Sequence, residues 1–271
     1  MKPYLSALKA RFRTLLQYRA AAWAGFGTQT FFGFVRVMIF NAFYASASAD
    51  PPFGFPQMMS YIWLGQVLFA LLPTRADPDL AAMIRSGDVA YELIRPVRLY
   101  SYWFARELAW RTAPVLLRAT PMVVVAAFVF PLVGAGRFAL GAPASVAAGA
   151  LFGLSLLGAL LLACCLSLLI STSMLWTLAG EGFSTIFPVI VWSLSGIVLP
   201  MPFFPEGMQR VFRLLPFRGL MDVPFRIYIG SIAAREAVLE VALQLAWVAA
   251  LVWLGSALVR RGLRRVVIQG G

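Results

Sequence analysis

SVAAGALFGLSLLGALLLACCLSLLI, residues 145–170, carries no charged residue at all. About 20 apolar residues of helix cross the hydrocarbon core of a bilayer, and few strands run this long, so the stretch reads as a membrane span. Gly149, Gly153, Ser155 and Gly158 within it permit close helix packing, read here as packing inside the chain. Cys164 and Cys165 are neighbours in the run; adjacent helical residues point in different directions, so they read as small apolar filler rather than a disulfide.

Working outward, similar runs recur. Spans are expected at 21–44, 57–72, 113–133 (extended back to Tyr102, hence 102–133), 145–170, 175–199 and 237–258. The fold class is therefore all-α integral membrane with six transmembrane helices in a single domain, residues 1–271. Composition agrees. The chain is 61% hydrophobic and 13% charged, with mean hydropathy +0.82, far more apolar than a soluble domain. Residues 1–20 precede the first span. Leu5, Leu8, Phe12, Leu15 and Leu16 recur there at helical spacing among Lys9, Arg11, Arg13 and Arg19, which predicts an amphipathic helix on the membrane surface. The segment has no apolar core of the kind a cleavable signal carries.

The basic excess, 23 Lys and Arg against 11 Asp and Glu, is scattered between apolar runs. That distribution points to a lipid surface and excludes nucleic acid as a partner. It also orients the chain. Basic residues gather in the N-terminal segment, at Arg75, Arg85, Arg95 and Arg98, and at Arg260, Arg261, Arg264 and Arg265, whereas 45–56 has none. Both termini and the 73–100 loop are therefore expected in the cytoplasm. The 200–232 segment conflicts with this, since Arg210, Arg213, Arg218 and Arg226 would lie outside. Its prolines and apolar residues are reconciled by a re-entrant or interfacial hairpin.

With no histidine, the commonest general base and metal ligand is missing, and no catalytic constellation or metal site is expected. Asp77 and Asp79 read as helix-capping groups rather than a metal pair. No GxxxxGK[ST] loop occurs, so ATP and Mg would have to be bound by another chain. Arg36, Arg118 and Glu181 are the charges inside apolar runs and are candidates for contact with a substrate or gate; snorkelling is the alternative for the arginines. Trp23, Trp63, Trp103, Trp176 and Trp192 read as interface belt or packing.

The stretch TRADPDLAAMIRSGDVAYELIRP, residues 74–96, predicts a short capped helix over 77–86. Asp77 is the N-cap, Pro78 the first helical residue, Asp79 a complement to the dipole and Gly87 the stop. Leu80, Met83 and Ile84 form one apolar face, flanked by Arg85, Asp88, Glu92 and Arg95. Such a helix suits docking into a groove on another protein.

At this point the sequence resembles the ABC-2-type class of ABC-transporter permeases. An element after the second span matches at Ile84, Gly87, Leu93, Arg95 and Pro96. A second, before the last span, matches at Leu199, Pro200, Phe203, Pro205, Leu215, Pro216, Phe217, Pro224, Tyr228 and Gly230. The resemblance covers nearly the whole chain and implies an exporter subunit with no enzymatic activity of its own. It implies two cytoplasmic ABC ATPase subunits, a second permease of the same or a different chain, and a bacterial inner membrane. It makes 77–86 the coupling helix and 200–232 an outer hairpin acting as a gate. Spans one, two and five would line the path, whose apolar character leans toward an amphipathic substrate. An ATP-independent secondary transporter and a non-transporting scaffold are the alternatives. The former usually needs acids at mid-membrane depth, where Glu181 is the nearest candidate.

Overall fold

The computed structural model describes residues 2–48, 50–175 and 181–263, with the side chain of Glu181 outside the description. Among the described residues the chain is helical and contains no strand. The helices are α1 (Lys2–Leu15), α2 (Arg19–Ser46), α3 (Phe55–Val67), α4 (Pro78–Ser86), α5 (Val89–Leu93) and α6 (Leu99–Val124). A π-helical stretch, Val125–Val129, carries α6 into α7 (Phe130–Leu132). Then come α8 (Val146–Ser173), α9 (Glu181–Leu194), α10 (Glu206–Arg213), α11 (Asp222–Tyr228) and α12 (Ala234–Gly262).

Three helices among the described residues are long and apolar enough to cross a membrane: Leu99–Leu132, Val146–Ser173 and Ala234–Gly262. A shorter apolar helix covers Gly182–Leu194. Helix α2 has 28 residues and leaves Phe31, Phe32, Val35, Met38 and Ile39 exposed on one side. The side chains of Ser145 and Gln57 begin two helices. Ser145 Oγ accepts from Ala148 N–H at 3.0 Å, and Gln57 Oε1 accepts from Gly54 N–H at 2.8 Å.

The middle of the molecule is α3. It has 13 residues, and everything from Met58 to Val67 is buried. Protein surrounds it, so it does not need the length that a lipid-facing span requires. Trp63 fills the space above Gly33 of α2, where a Cβ would come within 2.6 Å of its ring, and donates to Phe138 O at 2.7 Å. Trp63 and Trp103 are thus core residues. Trp23 and Trp192 are exposed, and Trp176 lies outside the described residues.

The small residues of α8 divide between two surroundings. Ser155 and Gly158 pack inside the chain against Gln244 of α12, with Ser155 Oγ donating to Gln244 Oε1 at 2.9 Å. Gly149 lies over Pro143, and Gly153 faces open space.

One sequence expectation gains a partner here and another is corrected. The apolar stripe of α1 packs on protein. Leu8, Phe12, Leu15 and Leu16 pack against Ala109, Trp110 and Ala113 of α6, because the two alanines leave a groove that takes them. Leu5 remains exposed. The expected helical span 175–199 stops at Leu194, with 176–180 outside the described residues. The chain turns at Gly196, whose φ of 85° is a conformation that favours glycine.

Gly196 also lies where a side chain has no room. A Cβ would come within 2.7 Å of both Asp222 Cβ and Tyr61 Oη. The left-handed conformation alone costs a non-glycine residue roughly 1–2 kcal/mol. Gly196→Ala is expected to lower the thermal midpoint of the detergent-solubilised chain by at least about 5 °C. Gly27→Ala, in a helix with nothing near its Cβ position, should leave it unchanged or slightly raised. A thiol-reactive fluorophore can follow both transitions, because Cys164 and Cys165 are buried until the chain unfolds.

Candidate functional site

The α4–α5 segment starts from its caps. The Asp77 side chain accepts from Asp79 N–H at 3.0 Å, Pro78 occupies the first turn, and Gly87 ends α4 at φ 81°. The fold then ties this short helix down. Asp77 is buried and pairs with Arg11 of α1 at 2.9 Å and, at 4.0 Å, with Arg106 of α6. Asp79 pairs with Arg11. Arg106 continues to Glu92 of α5 at 3.3 Å, and Glu92 accepts from Trp103 Nε1 at 2.6 Å.

These ties settle the direction of the apolar face. Leu80 is 2% exposed and packs with Val89, Leu99, Tyr100, Trp103, Leu168 and Val259, with Met83 and Ile84 against the same cluster. The face read from the sequence as free for docking is therefore turned into the protein, held there by the burial of Asp77 and Glu92. The surface that remains is different: Ala82, Arg85, Ser86, Gly87 and Asp88, followed by Tyr91, Leu93, Ile94 and Arg95. Tyr91 and Ile94 are 72% and 80% exposed. Asp88 accepts from Ser86 Oγ at 2.6 Å, and Arg95 lies over Tyr102 and donates to its hydroxyl at 2.7 Å.

A second anchor joins this segment to the bundle. Arg111 of α6 pairs with Glu107 at 2.8 Å. It donates to Leu72 O at 2.6 Å, Arg75 O at 2.9 Å and Ser167 Oγ at 2.6 Å. One buried guanidinium thus fastens the 72–75 connection to α6 and α8. The sequence reading gave Arg11 to the membrane surface and passed over Arg106, Glu107 and Arg111. For Glu107 and Arg111 the signal was their i,i+4 spacing, which places both on one helix face.

Segment 200–232 folds as a compact unit around Asp222. The Asp222 carboxylate accepts from Met201 N–H at 2.9 Å and from Tyr61 Oη at 3.3 Å, and pairs with Arg226 at 3.5 Å. Tyr61 Oη also donates to Gly196 O at 2.9 Å, and Asp222 N–H to Ser195 O at 2.9 Å. Arg36 reaches the same break from α2, donating to Ile197 O and, at 2.7 Å, to Val198 O. Irregular backbone in an apolar bundle needs such internal partners.

Of the hairpin residues, Pro200, Pro216 and Pro224 are buried. Phe203 meets Phe40, Phe43 and Phe53, Phe217 meets Phe187, and Pro205 precedes α10. Tyr228 donates to Gly141 O at 2.8 Å and lies against Phe152. Arg218 pairs with Glu240 of α12, so Arg218 and Arg226 are both neutralised within the chain. Arg210 and Arg213 remain exposed.

Of the other two intramembrane candidates, Glu181 has its side chain outside the described residues. Arg118 lines a cavity of about 540 Å³ between α1, α2, α4 and α6, together with Arg11, Arg75 and Trp110. Among the described residues no group of three or more Cys, Asp or Glu is arranged to hold a metal ion.

A comparison with curated proteins finds no match. The family model described as ABC-2 family transporter protein matches residues 31–270. Matched over nearly its whole length, with apolar helices fit to cross a bilayer, the chain belongs to the ABC-2 transporter family and is a membrane permease of an ABC transporter.

Proposed function

We propose that this permease is one half of the membrane part of an ATP-driven exporter. It carries an amphipathic substrate outward across a bacterial inner membrane. In this reading six spans cross the bilayer, both termini are cytoplasmic, and residues 77–86 serve as the coupling helix. Two partner ATPases bind ATP and Mg beneath it, and a second permease completes the path. Segment 200–232 closes the outer side.

The observation that carries the reading is the exposed ridge of α4 and α5, backed by buried ion pairs. A partner that pushes on Arg85, Tyr91 and Ile94 pushes on a body fixed to α1 through Asp77 and to α6 through Glu92. The 72–75 connection above it is fixed to α6 and α8 through Arg111. Displacement at the ridge is therefore passed to the long helices rather than absorbed in a loop.

The test is co-purification from the native host. An ATP-binding protein should accompany the wild-type chain. Arg85→Glu combined with Tyr91→Asp, both exposed, should reduce its recovery about 30-fold, as expected for losing two residues near an interface centre. The amount of folded permease should stay the same. Absence of any ATPase with the wild type would overturn the exporter reading, and undiminished recovery with the variant would overturn the ridge as the contact.

A further inference from the structure

The cavity between α1, α2, α4 and α6 has more cation than its own acids can balance. Of its arginines, Arg11 is paired with Asp77 and Asp79, and Arg111 with Glu107. Arg75 and Arg118 have no such partner among the described residues. Among the described residues no carboxylate lies within ion-pairing distance of either. Arg118 Nε is buried without a hydrogen-bond partner. Its guanidinium lies against α2 at Gly25, where a Cβ would come within 2.5 Å of it. Arg75 and Arg11 both lie over the Trp110 ring, at 6.0 and 5.7 Å from its centroid. A partly buried guanidinium with unused donors is costly unless an acceptor meets it, and its planar fork matches phosphate oxygens.

The cavity does not end at its arginines. Ala22 and Leu117 on its wall also line a second hollow of about 370 Å³, whose remaining lining is Trp23, Phe26, Leu116 and Pro121 together with Arg19 and Thr120. A polar, cationic chamber therefore adjoins a mainly apolar groove between α2 and α6, with the exposed Trp23 at its side. Free phosphate would use the chamber and leave the groove empty. A molecule with a phosphate at one end and a hydrocarbon chain at the other uses both.

We propose that this compound site binds an anionic phospholipid, its phosphate between Arg75 and Arg118 and one acyl chain in the groove between α2 and α6. The site is separate from the ridge on α4–α5 and from the 200–232 segment, and it would connect lipid to the same helices that those elements join.

The proposal is tested on the purified full-length chain in a neutral detergent. It is titrated in parallel with dioctanoyl phosphatidylglycerol, dioctanoyl phosphatidylcholine and inorganic phosphate, and the thermal midpoint is followed at each concentration. A ligand that binds the folded chain raises the midpoint with the logarithm of its concentration over its Kd, so the titration gives the relative affinities. Phosphatidylglycerol should bind at least about tenfold more tightly than phosphatidylcholine, and Arg75→Gln and Arg118→Gln should each weaken it about tenfold, as expected for losing a charged hydrogen bond. Arg118→Lys should restore part of the loss, and Arg210→Gln, on the exposed α10, should change nothing. Equal binding of the two lipids would overturn the proposal. So would unchanged phosphatidylglycerol binding in Arg75→Gln, which lies at the exposed mouth and leaves the packed core intact. Inorganic phosphate matching the phosphatidylglycerol effect would overturn the lipid assignment and give the cavity to a soluble phosphate compound.

Discussion

Asp222→Ala should destabilise the permease by about 3–5 kcal/mol, the range for removing one partner of a buried, hydrogen-bonded charge. The residue is fully buried. Its carboxylate holds the amide of Met201, the hydroxyl of Tyr61 and the guanidinium of Arg226 at one point. Alanine removes that shared acceptor and leaves Tyr61 only the carbonyl of Gly196. The break at 195–201 then depends on Arg36, Tyr61 and the backbone bond from residue 222 to Ser195 O. In the detergent-solubilised chain the thermal midpoint should fall by roughly 10 °C, with thiol reactivity of Cys164 and Cys165 as the readout. Asp222→Asn keeps an acceptor for Met201 and Tyr61 and should lose about half as much. If the asparagine variant were as damaged as the alanine variant, the ion pair with Arg226 would be the main contribution and the hydrogen-bond hub secondary. A midpoint unchanged in both would remove Asp222 as the organiser of the segment.

Arg111→Ala is expected to have an effect of similar size, about 3–5 kcal/mol, for a related reason at the other end of the molecule. It removes four contacts at once and leaves Glu107 buried with no cation beside it. The carbonyls of Leu72 and Arg75 each lose one of two donors, keeping Thr74 N–H and Ser167 Oγ respectively. The double variant Glu107→Ala/Arg111→Ala should be less damaged than the sum of the two single variants by about 1–3 kcal/mol, because neither charge is then stranded. Strict additivity in that cycle would show that the pair is not coupled. Transport should suffer beyond what stability explains, since the connection between α3 and α4 would no longer be fastened to α6 and α8.

The local devices of α4 could be read directly from the sequence. Asp77, Pro78 and Gly87 are short-range signals, and each residue type carries its own reason for standing at that position. Periodicity also identified Leu80, Met83 and Ile84 as one face, and the leucines of α1 as another. It could not tell what each face meets. In a membrane protein an apolar stripe has lipid, a partner and the rest of the chain as possible neighbours, and all three demand the same residue types. Both stripes turned out to pack on the chain itself, Leu80 with Trp103 and the leucines of α1 with Ala109 and Ala113. The decisive partners lie far away in sequence. Arg11 meets Asp77 across 66 residues and Tyr61 meets Asp222 across 161, so no window on the sequence contains both members. The 195–200 break was half legible. Pro200 reads as the end of the span while the expected helix runs through Gly196, whereas Arg36, read as an isolated intramembrane charge, proves to be the donor that holds that interruption together.

The pairing of Arg218 with Glu240 also sets an order of events at the ribosome. Arg218 is 5% exposed in the finished chain, and its counter-charge is supplied by α12, which begins at Ala234. As residues 200–232 leave the exit tunnel Glu240 is still enclosed within it, so Arg218 has nothing to neutralise it and is held in water or among headgroups. Only the arrival of α12 lets Arg218 settle into the bundle. Helix α12 is therefore the latch for the segment before it, and a nascent chain stopped short of Glu240 would be left with Arg218 undocked.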